Sequence, residues 1–406
     1  MAVSAAGAGG ALRPAEAWWN VGVASFLMLA TLPGRTQGLG LVTEPLMREL
    51  GIGRMTYASL NLWATLAGSL ACIPAGWMLD RAGLRRTSTA VAGMLALAVA
   101  GMSMVGGGVA GLFVGLLCTR ALGQSALSVA SIASVGKSFP RMHGWPMGVF
   151  SILMSVLFAL GFVGVGELVH GAGWRAAWRA VAVGVAGVGA LAWLGLREPG
   201  GGAGPGGEET SGQTLGEAAR TGWFWLFAGS TGLFAMATSG VGLFNEALLV
   251  EQGYEAGLLP MFLAASTVAS LAGHGACGWL MPRHGPGRLM AASWLGYGAS
   301  LAGLATAREG WHLWVVAAGM GFSAGGVTVL FFSAWGHVFG RRHLGRIQGA
   351  AQALTVLGSA VGPLVFAGTR ASHGGHGRVL WVLTALAGLV AVVAAMAPEP
   401  SAHRGK

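Results

Sequence analysis

The chain contains 406 residues, of which 54% are hydrophobic and only 9% are charged, against roughly 25% charged residues in an average soluble domain. So few charges cannot cover a water-facing surface, and the composition therefore excludes an ordinary soluble enzyme and favours a membrane protein. The net charge of +10 does not indicate a nucleic-acid partner, because the basic residues lie in short clusters between apolar runs.

Apolar runs of about 20 residues, the length that a helix needs to cross a hydrocarbon core of about 30 Å, recur along the chain. They predict an all-α membrane protein with twelve transmembrane helices. The predicted spans are 20–42, 57–79, 87–105, 111–135, 145–169, 174–196, 223–250, 258–280, 289–307, 311–335, 347–369 and 379–397.

The distribution of Lys and Arg predicts the orientation of these spans. If both termini are cytoplasmic, fifteen basic residues lie on that side of the membrane and seven on the other. Cytoplasmic loops carry the excess of Lys and Arg in membrane proteins, so this orientation is favoured over its inverse. The first apolar run has no short h-region with a cleavage site, and we expect it to remain as a helix of a multi-pass cell (inner or plasma) membrane protein.

A polar stretch rich in Gly and Pro divides the chain into two groups of six spans. We assign an N-terminal half at 1–196, a cytoplasmic linker at 197–222, a C-terminal half at 223–397 and a cytoplasmic tail at 398–406. Near the end of the linker, Thr214 and Glu217 have the spacing of a capping box, which predicts a short surface helix before the seventh span.

An internal repeat relates the two halves. The segment TQGLGLVTEPLMRELG at 36–51 and the segment TSGVGLFNEALLVEQG at 238–253 are identical at 8 of 16 positions. The same shift of 202 residues aligns GWMLDRAGLRR at 76–86 with GWLMPRHGPGR at 278–288. The repeat predicts two pseudo-symmetric six-helix bundles, an arrangement in which the substrate site lies near the membrane midplane between the repeats.

The segment GWMLDRAGLRR, which follows the second span, resembles the G-x-x-x-D-R-x-G-R-R motif of the major facilitator superfamily. Span number, duplication and the polar central loop extend the resemblance over the whole chain. The stretch from Arg120 through KSFPRMHGWPMG to GWRAAWR is similar to the monocarboxylate porter and oxalate:formate antiporter branch, which implies a small organic anion as substrate. The arginine that this branch uses in helix 8 has no counterpart in STVASLAGHGACGW.

Two arginines lie deep inside predicted spans, Arg35 in the first and Arg120 in the fourth. Placing an arginine at this depth costs about 2.5 to 3.5 kcal/mol on insertion scales, so such a residue faces the bundle interior or an aqueous cavity. Both side chains could present their guanidinium groups to an anion. A structural role is the alternative, and for Arg120 the resemblance also implies proton coupling and helix packing.

Polar side chains at helical spacing complete the predicted substrate site. Such residues would be unsatisfied in lipid and should face protein or water, although hydrogen bonds between helices explain them as well as substrate contact does. The predicted substrate-binding residues are Arg35, Arg120, Gln124, Thr238, Asn245, Gln352 and Thr355.

The resemblance also implies a cytoplasmic gate. Asp80 is the only Asp in the chain, and in the resembled motif this carboxylate interacts with the start of helix 11, where a helix N-terminus offers partial positive charge. The positive-inside rule alone would explain the arginines of the motif, but neither the Asp nor the paired glycines. The predicted gate residues are Gly76, Asp80, Arg81, Gly83, Arg85 and Arg86.

Proton coupling is weakly marked, because no acidic residue lies at mid-depth. The candidates are Arg120, His274, Glu44 and Glu246, of which the two glutamates fall near the external ends of the first and seventh spans. Histidine changes its charge near neutral pH and would suit a proton carrier, although a packed neutral histidine explains His274 equally well.

The sequence therefore predicts a secondary active transporter that moves a small organic anion, in the first place a monocarboxylate, by alternating access. An exporter of drugs or neutral solutes and a transport-inactive sensor on the same scaffold are the alternatives. The expected partners are the lipid bilayer, the anionic solute and a co-transported or exchanged ion, with no nucleic acid, and we expect a monomer. No Walker A, Rossmann or nucleophile-elbow pattern occurs, so we expect neither catalysis nor a cofactor or metal.

Overall fold

The computed structural model describes residues 12–106, 108–139, 144–198, 212–255, 258–306, 310–340, 342–373 and 375–398. Every secondary-structure element within these ranges is a helix, apart from one isolated antiparallel bridge between Gly212 and Gly340. A helix satisfies its own backbone polar groups, which is what a segment in hydrocarbon requires. The predicted all-α class is confirmed.

Three of the predicted spans in the first half are not continuous regular helices. A 3-10 turn (Leu32–Gly34) interrupts the first, a turn at Leu70 and Ala71 divides the second, and a π-helical segment (Arg120–Leu127) lies in the middle of the fourth. The α-helices of this half are α1 (Pro14–Leu29), α2 (Thr36–Leu50), α3 (Arg54–Ser69), α4 (Cys72–Ala82), α5 (Leu84–Met102), α6 (Val109–Thr119), α7 (Ser128–Ser138), α8 (Gly144–Ala172) and α9 (Trp174–Gly195).

The second half consists of longer helices. They are α10 (Leu215–Ala218), α11 (Gly222–Glu251), α12 (Leu259–Thr306), α13 (Gly310–Phe339), α14 (Leu344–His373) and α15 (Gly377–Met396). Two helices meet within α12 at Gly285, whose φ of 71° interrupts the helical backbone. The short α10 begins with the predicted capping box, in which hydrogen bonds from the backbone N–H and the hydroxyl of Thr214 lower the pKa of the Glu217 carboxyl.

Eight helical stretches within the described residues are long and apolar enough to cross a membrane. They coincide with eight of the twelve predicted spans. The other four predicted spans fall on the broken α1–α2 pair, on α5 and on the two parts of α12, so the count of twelve remains a prediction. The stretches are Thr56–Ala82, Val109–Ser138, Trp145–Ala172, Trp174–Gly195, Gly222–Asn245, Gly310–Phe339, Leu344–Arg370 and Gly377–Met396.

Several local contacts recur at the repeat distance of 202 residues. Gly83, between α4 and α5, has a φ of 88°, and its counterpart in α12 is Gly285. The guanidinium carbon of Arg81 lies 5.0 Å from the ring centroid of Trp77, and that of Arg283 lies 4.1 Å from the ring of Trp279. The same sequence signature therefore produces the same turn and the same cation–π pair in both halves.

The C-terminal ends of α2 and α11 also carry equivalent contacts. Glu49 accepts hydrogen bonds from the indole N–H of Trp174 and from Nε of Arg175, the latter at 2.7 Å. The counterpart Glu251 lies 2.8 Å from Nδ1 of the buried His376 and accepts a hydrogen bond from its backbone N–H at 3.0 Å. In both halves a glutamate thus joins the end of one helix to the start of another.

The two halves pack against each other mainly through two helix pairs, α4 with α14 and α8 with α12. A Cβ added to Gly349 of α14 would overlap the carbonyl oxygen of Cys72 in α4. At the second pair, a Cβ on Gly148 of α8 would lie 3.0 Å from the carbonyl oxygen of His274, which follows Cys72 by 202 residues. Glycine at these positions lets the backbones approach closely, as is usual between helices in membranes.

We expect Gly76→Ala to lower the melting temperature of the purified protein. A Cβ at this position would overlap the carbonyl oxygen of Gly345, so the two helix backbones would have to separate. The matched control is Gly187→Ala, because Gly187 is an exposed helical glycine with open space at its Cβ position. Tryptophan fluorescence during heating measures the change, and equal melting temperatures for the two variants would contradict the packing argument.

Candidate functional site

The break between α1 and α2 packs against the π-helical segment. Pro33 lies in the 3-10 turn, and a Cβ on Gly34 would overlap the carbonyl oxygen of Thr119 and lie 2.7 Å from the backbone nitrogen of Gln124. Only glycine permits this approach. It brings Arg35, which precedes the first residue of α2, next to the segment that begins with Arg120.

Arg120 is 1% exposed and makes five hydrogen bonds to protein groups. Its Nε and Nη2 donate to the Asn61 Oδ1 at 3.2 and 2.7 Å. Its Nη1 donates to the Gly34 carbonyl at 3.1 Å, to Thr36 Oγ1 at 3.1 Å and to Gln124 Oε1 at 2.6 Å. The guanidinium therefore joins α3, the π-helical segment and the break before α2.

Arg35 is only partly buried and has weaker partners. Its Nε donates to Thr31 Oγ1 at 2.7 Å, while its Nη2 donates to Ser128 Oγ at 3.2 Å and to the sulfur of Met28 at 2.9 Å. The guanidinium carbon lies 5.0 Å from the centroid of the Phe158 ring in α8. Its Nη1 makes no hydrogen bond to any described residue, so the N–H groups of this one nitrogen have no partner in the described part of the chain.

No carboxylate of the described residues lies within ion-pair distance of either guanidinium. The two positive charges are surrounded by hydroxyls, an amide, a carbonyl, a thioether and an aromatic ring. An anion that reaches Arg35 would therefore meet an uncompensated positive charge, and a charge-assisted hydrogen bond of this kind is stronger than one between neutral groups.

The predicted site residues of the second half do not contact either arginine within the described part of the chain. Thr238 donates to the Phe234 carbonyl of its own helix at 2.8 Å. Thr355 of α14 donates to the Ala351 carbonyl at 3.0 Å and lies 3.5 Å from Thr231 of α11. Asn245 on α11 and Gln352 on α14 are buried. Thr355 thus lies at the α11–α14 contact, whereas Arg35, Arg120 and Gln124 form one cluster in the first half.

Of the candidates for proton coupling, His274 is 3% exposed and its Nδ1 has no hydrogen-bond partner among the described residues. Its backbone packs against Gly148 and Gly325. The side chains of Glu44 and Glu246, on α2 and α11, lie outside the described part of the structure. A role of these residues in proton transfer stays a prediction.

Asp80 joins the two halves at the end of α4. Its side chain is 3% exposed, and its two oxygens accept hydrogen bonds from the backbone N–H groups of Gly345 and Arg346 at the start of α14, each at 3.0 Å. Nζ of Lys137 in α7 lies 2.8 Å from Oδ1. A carboxylate at a helix N-terminus is stabilised by the unpaired N–H groups and the helix dipole. We call this end of the bundle the Asp80 end.

Of the other predicted gate residues, Gly76 packs directly on Gly345, and the rest surround this contact without joining it. Arg81 stacks on Trp77, Arg85 stacks on Trp193 with its guanidinium carbon 4.3 Å from the ring centroid, and Arg86 is exposed. Gly83 supplies the left-handed turn before α5, where Glu198 accepts hydrogen bonds from the N–H groups of Leu84 and Arg85 at 3.1 and 2.7 Å.

Several site residues were not identified from the sequence. Asn61, the partner of Arg120, is a polar residue inside the second predicted span, and its depth was a usable signal. Lys137 and Glu198 lie at the ends of predicted spans, where charged residues are common, so nothing in the sequence distinguishes them. Phe158 is one of many apolar residues, and only the packing of α8 on α1 brings it to Arg35.

Comparison with known proteins gives one family and several similar folds. The sequence profile of the Major Facilitator Superfamily matches residues 23–363. No curated protein matches the chain significantly in sequence.

Solved structures of transporters have the same fold. The human organic anion transporter TETRAN superposes with a TM-score of 0.74 at 16% identity, over 93% of this chain and 100% of that one. The E. coli fucose:proton symporter FucP gives 0.72 at 16% identity over 93% and 97%. The proton:xylose symporter XylE gives 0.73 at 12% identity over 96% and 97%. At these identities the similarity extends to the fold alone.

We expect Arg120→Gln to destabilise the protein more than Arg35→Gln does. Replacing Arg120 leaves Asn61 and the Gly34 carbonyl without their donor in a buried position, and each hydrogen bond to a charged group contributes about 1.5 to 3 kcal/mol. Melting temperatures in detergent measure the difference, and an equal or larger loss in Arg35→Gln would contradict the assignment of Arg120 as the structural residue.

We expect Asp80→Asn to loosen the contact between α4 and α14. An amide presents one acceptor oxygen to two N–H groups and loses the ionic attraction to Lys137. Cys72 reports the change because it is buried in α4 against Gly349 of α14. In a Cys118→Ser, Cys277→Ser background, Asp80→Asn should raise the rate of Cys72 alkylation by a water-soluble maleimide several-fold.

The matched control for this experiment is Glu198→Gln. It removes a carboxylate from the same end of the bundle, but within the described ranges Glu198 bonds to the start of α5 in its own half. Its alkylation rate should stay close to that of the background protein. Equal rates in the two variants would show that Asp80 does not hold the halves together.

Proposed function

The chain belongs to the major facilitator superfamily, and from that premise we propose that it is a secondary active transporter for a small organic anion, in the first place a monocarboxylate. Proteins of this family and the solved structures of the same fold are transporters and not enzymes. The chain is accordingly a multi-pass membrane transporter of a small solute. The nature of that solute follows from the site, because one fold serves many substrates.

The observation that carries the proposal is the state of the Arg35 guanidinium. It is partly buried, it has no acidic neighbour among the described residues, and its Nη1 is free of protein partners in the same part of the chain. A permanent charge in this position is expensive in a membrane and is kept where it binds a ligand or an ion. A carboxylate would accept a charge-assisted hydrogen bond from this Nη1, and such a bond is stronger than one between neutral groups.

Arg120 positions this site rather than binding the anion. Its five hydrogen bonds to protein groups hold the break before α2, and Arg35 extends from that break. The aromatic face of Phe158 supplies an apolar contact beside the guanidinium, which suits a short organic acid better than a strongly hydrated inorganic ion.

The transport cycle follows from the two halves. We place twelve spans across the membrane with both termini and the Asp80 end in the cytoplasm, as the distribution of Lys and Arg favours. The two halves would rock about the site, and the Asp80 contact with α14 would hold the cytoplasmic side closed in the state described here. His274, Glu44 and Glu246 are the residues to examine for a coupled proton.

A neutral solute is the second candidate. The Thr and Gln side chains of α11 and α14 are suited to bind hydroxyl groups, and two of the solved structures with this fold are symporters of sugars with protons. In that case Arg35 would serve packing alone, through its contacts with Thr31 and Ser128.

Uptake into proteoliposomes tests the proposal. The wild-type protein should accumulate radiolabelled lactate or pyruvate, and Arg35→Gln should reduce the initial rate at least about tenfold, because a hydrogen bond to a charged group contributes about 1.5 to 3 kcal/mol and 1.4 kcal/mol corresponds to a factor of ten. Arg35→Lys should retain part of the rate, since a lysine keeps the charge but lacks the planar fork.

The control is Arg179→Gln, which removes one positive charge from an exposed position of α9 and should leave uptake unchanged. The variants are reconstituted in equal amounts, and uptake rates are compared only between variants whose melting temperatures are equal. Uptake of xylose but not of carboxylates, with Arg35→Gln as active as the wild type, would replace the anion proposal by the neutral-solute function.

A further inference from the structure

The C-terminal end of α11 carries a contact between an acid and a histidine. Nδ1 of His376 lies 2.8 Å from Oε1 of Glu251, and the backbone N–H of His376 donates to Oε2 of the same carboxylate at 3.0 Å. The His376 side chain is 0% exposed, whereas that of Glu251 is 26% exposed. Helix α14 begins at the Asp80 contact and ends 30 residues later at His373, so the pair lies at the opposite end of the bundle.

The internal repeat shows that this contact is titratable in one half only. At a shift of 202 residues, Glu49 is the counterpart of Glu251 and Trp174 is the counterpart of His376. Glu49 accepts hydrogen bonds from the indole N–H of Trp174 and from Nε of Arg175, and neither donor loses its proton near neutral pH. The second half has a glycine in place of this arginine. The duplication thus keeps the glutamate and replaces two permanent donors by one histidine.

The surroundings of the imidazole identify Nε2 of His376 as the atom that takes up a proton. Nδ1 faces the carboxylate and therefore carries the hydrogen of the neutral ring, which leaves Nε2 as the acceptor nitrogen. Nε2 is buried and has no hydrogen-bond partner among the described residues. The ring centroids of Phe244 in α11 and Phe366 in α14 lie 5.0 and 6.0 Å from that of the imidazole. Aromatic rings attract a cation at such distances, and the carboxylate compensates its buried charge.

Other titratable or charged side chains occur on the elements around this contact. Within the described residues, Glu251 is the acidic group within ion-pair distance of His376. Exposed charges are Glu255 after α11, Arg370 on α14 and Arg378 on α15, half-buried groups are Tyr254 and His312, and the side chains of Glu246 and His373 lie outside the described part. The segments of α12 at this end, 259–273 and 298–306, carry none. Among the described side chains here, His376 is the buried one that titrates near neutral pH.

We propose that His376 and Glu251 form a proton-binding site, in which a proton taken up at Nε2 converts the hydrogen bond into an ion pair and fixes the end of α11 against α15. Phe244 and Phe366, whose ring centroids lie 6.2 Å apart in a stacked arrangement, extend the contact to α14. The contact of the charged imidazolium is the stronger one, because both partners then carry a charge. Loss of the proton therefore loosens the end of α11.

The consequence for transport rests on the proposed function. Thr238 and Asn245, two of the predicted substrate-binding residues, lie on α11 before Glu251, and a rigid helix transmits a shift of its end to them. We therefore expect the uptake rate to depend on the protonation of His376. Histidine changes its charge between about pH 5 and pH 8, so the effect should be seen in this range.

Thermal unfolding of the full-length protein in detergent, without any solute, tests the site itself. The melting temperature is measured at about pH 5.5 and about pH 8, on either side of the range in which histidine titrates. His376→Gln retains a side-chain amide that can donate to Glu251, but it cannot gain a charge. The ion pair is present at low pH and lost as the pH rises, so the wild type should lose a few degrees more than this variant.

A second variant and a matched control accompany this measurement. Glu251→Gln keeps the histidine but removes its anionic partner, and it should lose the same pH-dependent difference. The control is His170→Gln, because His170 is an exposed histidine at the end of α8, and it should respond to pH as the wild type does. Initial uptake rates of radiolabelled lactate at the same two pH values should depend on pH less in both site variants than in the control.

The proposal is overturned if either site variant keeps the wild-type difference in melting temperature, or if His170→Gln loses it to the same extent. An uptake rate that depends on pH equally in the wild type and in both site variants also overturns it. A wild type that takes up no carboxylate contradicts the proposed function instead, because the melting temperatures are measured without a solute.

Discussion

A helix that stops inside the hydrocarbon leaves carbonyl groups without partners, and this constraint governs the centre of the first half. The break between α1 and α2 is possible because Arg120 donates a hydrogen bond to the freed Gly34 carbonyl. The same guanidinium holds Asn61 of α3 and Gln124 of the π-helical segment. One buried charge thus connects three irregular or polar elements, and the position of Arg35 depends on it.

The contacts between the halves depend on a second constraint, the close approach of helix backbones. Gly76, Gly345 and Gly349 bring α4 and α14 together, and Gly148 and Gly278 do the same for α8 and α12. The duplication repeats this packing but not the charge that accompanies it, because Asp80 has its counterpart in a proline. A pseudo-symmetric frame with one asymmetric ionic contact is suited to a protein whose halves move against each other.

The sequence predicted the all-α class of the fold, whereas the binding roles of the candidate site residues stay predictions. Apolar runs and the capping box of α10 follow from local patterns, and both were found in the structure. The depth of Arg35 and Arg120 in their predicted spans identified them as candidate functional residues, because a charged side chain in hydrocarbon is energetically costly. Depth alone does not distinguish the roles of the two arginines. The burial of each guanidinium and its partners depend on helices that are distant from it in sequence, α3 for Arg120 and α8 for Arg35.

What the sequence by itself determined is therefore what local periodicity and composition encode: helices, their apolar lengths, the duplication and the rarity of charge. Only the tertiary structure shows that Nε, Nη1 and Nη2 of Arg120 all donate to protein groups, whereas Nη1 of Arg35 has no partner among the described residues. It also shows that Asp80 binds Lys137 and the start of α14. The physical reason is that hydrogen bonds and ion pairs act over about 3 Å, whereas Arg120 and Asn61, Asp80 and Lys137, and Asp80 and Arg346 lie 57 to 266 residues apart along the chain.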